Sequence, residues 1–275
     1  MIPYPNIDPV AFGVGAFEIF GKTIGPIQVH WYGLMYLAGF IAAWLIGVRR
    51  ARKDWTILNP EQVEDLIFYG ALGVVLGGRF GYVFLYNFPA FLDNPAMLFK
   101  VWEGGMSFHG GLIGVMIALA LFSRKVNKNF IDIMDFFAPL VPIGLGFGRI
   151  GNFIGGELWG RQTDVAWGMI FPSDPDALVR HPSQLYQAFL EGVVLFAFLL
   201  WFSRKPRPRA AVSSLFLIGY GLQRFFVEFY RQPDSHIGFD LAGWLTRGQL
   251  LSIPMILIGA VIFYAAYIKN KRQKI

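Results

Sequence analysis

Cysteine is absent from all 275 residues. With it go disulfides, thiolate metal ligands and a cysteine nucleophile, whatever the compartment. Charge is scarce too. Asp, Glu, Lys and Arg make up 15% of the chain, against about 25% in an ordinary soluble domain. So few charges cannot cover a water-soluble surface on a chain that is 55% hydrophobic and holds 28 Phe and 8 Trp. No pair of histidine and carboxylate has zinc spacing, and the Gly-x-Ser-x-Gly elbow is missing. No metal or redox cofactor is expected. There is no short apolar stretch with a small-residue cleavage site at the N-terminus. The first apolar helix is expected to serve as an uncleaved targeting signal. Fixed-period repeats, low-complexity tracts and a soluble domain are also lacking.

What is present is a series of apolar stretches near the roughly 20 residues that cross a bilayer. Seven spans are expected, at 27–48, 63–86, 106–122, 130–153, 185–202, 212–230 and 249–267. The sixth is short and amphipathic. The fold class is thus an all-α polytopic membrane protein, a single transmembrane domain over 1–275. Its segments 1–26, 87–105 and 154–184 would form a small outer cap. In the first of these, Phe17–Phe20 reads as an apolar turn.

The net charge of +6 does not point to nucleic acid, because the basic residues cluster at the ends of apolar runs. Arg49, Arg50, Arg52 and Lys53 follow the first span. Arg124, Lys125 and Lys128 follow the third, and Arg204, Lys205, Arg207 and Arg209 the fifth. Lys269, Lys271, Arg272 and Lys274 follow the seventh. These are 15 of the 24 Lys and Arg. The other side carries Lys22, Lys100, Arg161, Arg180, Arg231 and Arg247. The positive-inside rule places the N-terminus outside and the C-terminus in the cytoplasm.

Three arginines lie inside spans: Arg79, Arg149 and Arg224. Each costs at least about 2.5–3.5 kcal/mol on insertion scales and requires a partner. One reading is structural ion pairing with Glu191, Glu228 or Asp135; Glu228 stands one helical turn after Arg224. The other is an anionic ligand, because the guanidinium fork matches a phosphodiester. Arg149 shares a helix face with Asn152, and Arg224 with Tyr220. For Arg79, ion pairing or interfacial positioning stands beside substrate binding. His109, flanked by glycines at the outer end of the third span, is suited to take a proton near neutral pH. The alternative is a satisfied core histidine. His30 reads as interfacial, His181 and His236 as outer-loop residues.

The run Gly148-Arg149-Ile150-Gly151-Asn152-Phe153-Ile154-Gly155-Gly156-Glu157-Leu158-Trp159-Gly160 resembles the signature of the bacterial prolipoprotein diacylglyceryl transferases. His30 to Tyr36, Met106 to Leu112, Arg180 to Tyr186 and Tyr220 to Pro233 also resemble family motifs, in the family's order. The resemblance covers nearly the whole chain. It implies an enzyme at the outer face of the bacterial cytoplasmic membrane. Its partners would be phosphatidylglycerol, the signal peptide of a prolipoprotein with its lipobox cysteine, and the bilayer. The diacylglyceryl group would pass to the thiol as a thioether, with release of glycerol phosphate. The residues matching Arg149 and Arg224 would bind lipid and serve catalysis. Those matching Tyr32, His109, Asn152, Glu157, Gly160 and Tyr220 would matter for function.

Two departures stand out: many members have Asn where this chain has Gly155, and the stretch between Gly160 and His181 is short for the family. The chemistry of the residues agrees with the resemblance. A thiol with pKa near 8.5 needs a base or a favourable field, and a departing phosphodiester needs its charge stabilised. A transporter or channel for an anionic solute, or another phospholipid-processing enzyme, remains open on the residues alone.

Overall fold

The computed structural model describes residues 1–20, 22–233 and 245–272. His236 and Lys274 lie outside the described residues. Four short strands come first: β1 (Val10–Val14), β2 (Phe17–Ile19), β3 (Lys22–Ile24) and β4 (Ile27–His30). β1 pairs antiparallel with β4, and β2 with β3. Helices α1 (Trp31–Ala51), α2 (Pro60–Tyr86), α3 (Phe88–Asp93), α4 (Phe108–Lys125), α5 (Phe130–Phe137) and α6 (Val141–Ile154) follow. Next come the two-residue strands β5 (Met169–Ile170) and β6 (Val179–Arg180), paired with each other. Helix α7 (Ser183–Gln187) continues through a π-helical turn (Ala188–Val194) into α8 (Leu195–Phe202). Helices α9 (Ala211–Val227) and α10 (Arg247–Arg272) complete the chain.

The fold is mostly helical. Among the described residues, six helical stretches are long and apolar enough to cross a membrane: Trp31–Ala51, Pro60–Tyr86, Phe108–Lys125, Phe130–Ile154, Ser183–Phe202 and Arg247–Lys269. The remaining expected span falls on α9, which has 17 residues. At 1.5 Å per residue that is roughly 25 Å, short of the roughly 30 Å hydrocarbon core. The first expected span begins too early, because residues 27–30 form β4. Only 17% of the apolar window of α1 and 11% of that of α10 is buried. Both helices therefore turn apolar side chains outward, as a bilayer requires.

The chain divides into two compact units. The first comprises Met1–Ala43 and Ala138–Ile275. Within it, α6 and the π-helical turn approach at Gly146 and Gly192: a Cβ on Gly192 would stand 2.7 Å from the Gly146 Cα. Tyr32 of α1 packs on Gly151 of α6. Phe153, Met169 and Phe171 form a small core, covered by Tyr4, Trp159 and Leu185. The Tyr4 hydroxyl donates to the Phe153 carbonyl at 2.6 Å and the Ile154 carbonyl at 3.0 Å. Burial raises its phenol pKa.

The second unit is Trp44–Phe137. Its helix α2 starts at a capping box. The Asn59 side chain accepts from the Gln62 N–H at 2.8 Å, and the Gln62 side chain accepts from the Asn59 N–H at 3.1 Å. Pro60 stands at the first helical position, where its missing N–H loses nothing. Gly73, Gly77 and Gly81 of α2 face Gly110 and Gly114 of α4 so closely that a Cβ at Gly77 would meet the Gly110 carbonyl. This spacing of small residues lets membrane helices pack backbone to backbone. At the far end Lys125 and Asp65 pair at 2.8 Å, both about half exposed, which contributes little to stability.

Candidate functional site

The first unit gathers an unusual amount of charge between its helices. Arg149 of α6 has its Nε 3.8 Å from a carboxylate oxygen of Glu191, on the π-helical turn. The close approach of Gly146 and Gly192, three residues before Arg149 and one after Glu191, makes that distance possible. Arg224 of α9 pairs with Glu228 at 3.0 Å, and Arg231 reaches the other oxygen of the same carboxylate at 3.4 Å. Tyr220, one turn before Arg224, lies within electrostatic reach of Glu191, Arg224, Arg149 and Glu228. Arg149, Arg224 and Arg231 thus meet the carboxylates of Glu191 and Glu228.

The donors are used unequally. Glu191 is fully buried, and neither of its carboxylate oxygens accepts a hydrogen bond among the described residues. At 3.8 Å the contact with Arg149 is an ion pair, too long for a hydrogen bond. Gln187, one turn before Glu191, is likewise fully buried, and its amide has no hydrogen-bond partner among the described residues. Buried polar groups left in this state cost about 1–3 kcal/mol each, so this region is not arranged for stability alone.

A second set of contacts ties α6 to the segment after it. The Asn152 amide donates to a Glu157 carboxylate oxygen at 3.0 Å, and the Glu157 N–H to the Asn152 carbonyl at 3.0 Å. Gln184 donates to the Glu157 carbonyl at 2.7 Å. Tyr32 stands within electrostatic reach of Glu157 and Arg149, and its hydroxyl is 3.2 Å from that of Tyr36. Gly160 donates to the His181 carbonyl at 2.8 Å and forms a backbone bridge with Arg231. A Cβ there would be 2.5 Å from the Tyr230 carbonyl oxygen, so no larger residue fits without moving the backbone. At Gly155 the reverse holds: a Cβ would make only ordinary contacts of 3.5–3.7 Å.

Around these residues the 154–184 segment is braced. Arg180 makes two hydrogen bonds to Asp174, at 2.6 and 2.9 Å, and lies 4.0 Å from the Trp159 ring centroid. The arginine holds the Asp174 carboxyl below its usual range. Arg161 donates to the carbonyls of Arg231 and Glu228 at 3.0 and 3.3 Å. The His181 ring meets the Tyr186 hydroxyl at 3.0 Å, and burial lowers the His181 pKa.

His109 and Arg79 belong to the second unit. His109 is exposed on the first turn of α4, its ring edge-on to Phe108 at 5.7 Å. The Ser107 hydroxyl caps that turn by accepting from the Gly110 N–H at 3.1 Å. Arg79 is 3% exposed, and its hydrogen bonds end on backbone carbonyls of residues 97, 98, 104 and 105.

Six of the residues singled out in the sequence thus stand in one polar region of the first unit: Tyr32, Arg149, Asn152, Glu157, Tyr220 and Arg224. Gly160 sits at its edge. Glu191 and Glu228, expected as structural partners of the arginines, are there as well. Arg231, Gln184 and Gln187 were not singled out as site residues. The signal for Gln187 was its place one helical turn before an intramembrane carboxylate.

Comparison with known proteins places this geometry in context. The sequence family described as prolipoprotein diacylglyceryl transferase matches residues 19–265. A phosphatidylglycerol–prolipoprotein diacylglyceryl transferase of Teredinibacter turnerae is 66% identical over 267 residues, spanning 97% of this chain and 93% of that one. A protein of the same description from Marinomonas sp. is 59% identical over 274 residues, 100% of this chain and 98% of its own. Another from Acinetobacter baylyi is 58% identical over 272 residues, 97% and 95%.

Proposed function

The chain belongs to the prolipoprotein diacylglyceryl transferase family, and from that premise we propose that it transfers the diacylglyceryl group of phosphatidylglycerol to the cysteine thiol of a prolipoprotein. This is the first step of lipoprotein maturation. The thiol sulfur attacks the glyceryl carbon that carries the phosphodiester. The C–O bond breaks, its electron pair leaves with the phosphate oxygen, and glycerol phosphate departs. The thiol proton passes to a base.

The observation that best supports a phosphodiester ligand is Arg149. It is a charged fork inside an apolar helix bundle, its side chain 20% exposed, and among the described residues its ion pair is the 3.8 Å contact with Glu191. Its hydrogen-bonding capacity therefore remains for planar, bidentate contact with phosphate oxygens. Arg224 and Arg231 add positive charge that a departing phosphate would meet without reorganisation. Asn152, held by Glu157, together with Tyr32 and Tyr220, supplies neutral donors for the glycerol headgroup. His109 is assigned the thiol proton on its chemistry. The lipobox cysteine must come from the other substrate, because this chain has none.

We further propose seven crossings, with α9 as the short one, the N-terminus outside and the basic clusters in the cytoplasm. The resemblance to the family supports the cytoplasmic membrane and an outward-facing site. Incubation of the purified protein with phosphatidylglycerol vesicles and a lipobox peptide tests the function. A peptide heavier by one diacylglyceryl group supports it. Anion flux through proteoliposomes, with the peptide unchanged, would sink it and favour a transporter.

A further inference from the structure

We propose that Arg79 is a positioning residue: it clamps the segment 87–105 and thereby fixes the first turn of α4, where His109 stands. Two readings were open for this arginine, a ligand to lipid phosphate or a positioning group, and its surroundings separate them. A guanidinium has five N–H donors. Arg79 directs Nε to the Leu98 carbonyl at 3.3 Å, one terminal nitrogen to the carbonyls of Gly104 and Gly105, and the other to that of Met97. Four of the five donors are thus used by backbone. The side chain is buried, and the cation lies 5.7 Å from the Tyr82 ring centroid. Arg149 shows the opposite pattern.

The carbonyls it holds bracket one loop. Met97 and Leu98 precede the turn Val101–Glu103, and Gly104 and Gly105 follow it. Both glycines have positive φ, +79° and +75°, a conformation open to few other residues. Carbonyls at 97, 98, 104 and 105 all converge on one buried charge, so the arginine draws both ends of the loop onto α2. The same turn of α2 makes further contacts. The Gly78 carbonyl accepts from the Ser107 N–H at 2.9 Å. The Tyr82 ring fills the place a Cβ on Gly105 would need. Ser107, placed in this way, caps α4 at Gly110. From Arg79 to His109 the path is continuous: guanidinium, loop carbonyls, Ser107, first turn. An ammonium has three donors and no planar fork, so lysine would hold only part of the loop.

The kinetic part of this inference rests on the proposed role of His109; the mechanical part does not. The cysteine-free chain allows a single spin label in the Trp102→Cys variant, at a position 77% exposed and between the clamped carbonyls. Expected for Arg79→Met are a more mobile label at 102, a kcat lower by about 10²-fold, as misplaced catalytic groups give, and a KM for phosphatidylglycerol within about twofold. Arg79→Lys should fall between. A KM raised about tenfold with an unchanged label spectrum would overturn the proposal and make Arg79 a headgroup ligand. If Arg79→Met does not fold, Gly104→Ala decides. A Cβ there meets no atom within 4 Å, so the change strains only the loop backbone. It should also lower kcat and leave KM in place; an unchanged kcat and an unchanged label spectrum would contradict the clamp. Should the wild-type protein show no transfer at all, the function fails, while the label still tests the clamp.

Discussion

At the scale of single residues, what separates the intramembrane arginines is where their donors end. Arg79 meets carbonyls, Arg224 meets Glu228, and Arg149 stands off Glu191 at 3.8 Å. Sequence gives the anomaly, a charge in an apolar run, but not its partner. Backbone carbonyls carry no signature in a sequence, so the clamp around Arg79 was illegible, whereas Glu228, one turn from Arg224, was readable. Arg149→Ala and Arg224→Ala should each lower transfer at least about tenfold, since a charge-assisted hydrogen bond contributes about 1.5–3 kcal/mol. Arg149→Lys should not restore full activity, because a point charge cannot make the bidentate contact. Full activity in both alanine variants would remove the assignment. His109→Gln should keep lipid binding and slow the chemical step by about 10²–10⁴-fold. Raising the pH should recover part of that loss as more thiol ionises unaided. A slow variant with no recovery would make His109 an orienting group, and a normal rate at neutral pH would exclude it as a base.

Among the elements, the helices were legible because a bilayer demands long apolar runs with internally satisfied backbone. The short strands were not. Val10–Val14 reads Val-Ala-Phe-Gly-Val, with no clear alternation, and its partner β4 lies beyond the β2–β3 pair. The π-helical turn at Ala188–Val194 was also hidden, because an extra residue in a helical turn leaves composition unchanged; such turns are frequent at functional sites. Here it carries Glu191. The glycines that join elements can be tested by substitution. Gly77→Ala drives a Cβ into the Gly110 carbonyl and should cost about 1–3 kcal/mol, read as an earlier midpoint in denaturant. Gly144→Ala meets no atom within 4 Å and should be neutral or gain up to about 1 kcal/mol from helix propensity. Equal effects of the two substitutions would contradict the close packing of α2 on α4.

For the whole molecule, the charge pattern proposes an orientation that apolar helices alone do not set. Single cysteines placed in the chain report it. Residues 124–128 should be labelled only from the cytoplasmic side and position 102 only from the outside; labelling of 124–128 by an impermeant reagent from outside would reverse the topology. The central claim is the reaction itself. Its most direct measurement is transfer from phosphatidylglycerol carrying one isotope in the diacylglyceryl moiety and another in the headgroup glycerol, with a lipobox peptide as acceptor. The peptide should gain the first isotope on its cysteine as a thioether, stable to base that strips the ester-linked acyl chains. The second should leave as glycerol phosphate in equal amount, and Arg149→Ala should lower both together. Release of headgroup without peptide modification, or both isotopes arriving on the peptide, would contradict the account.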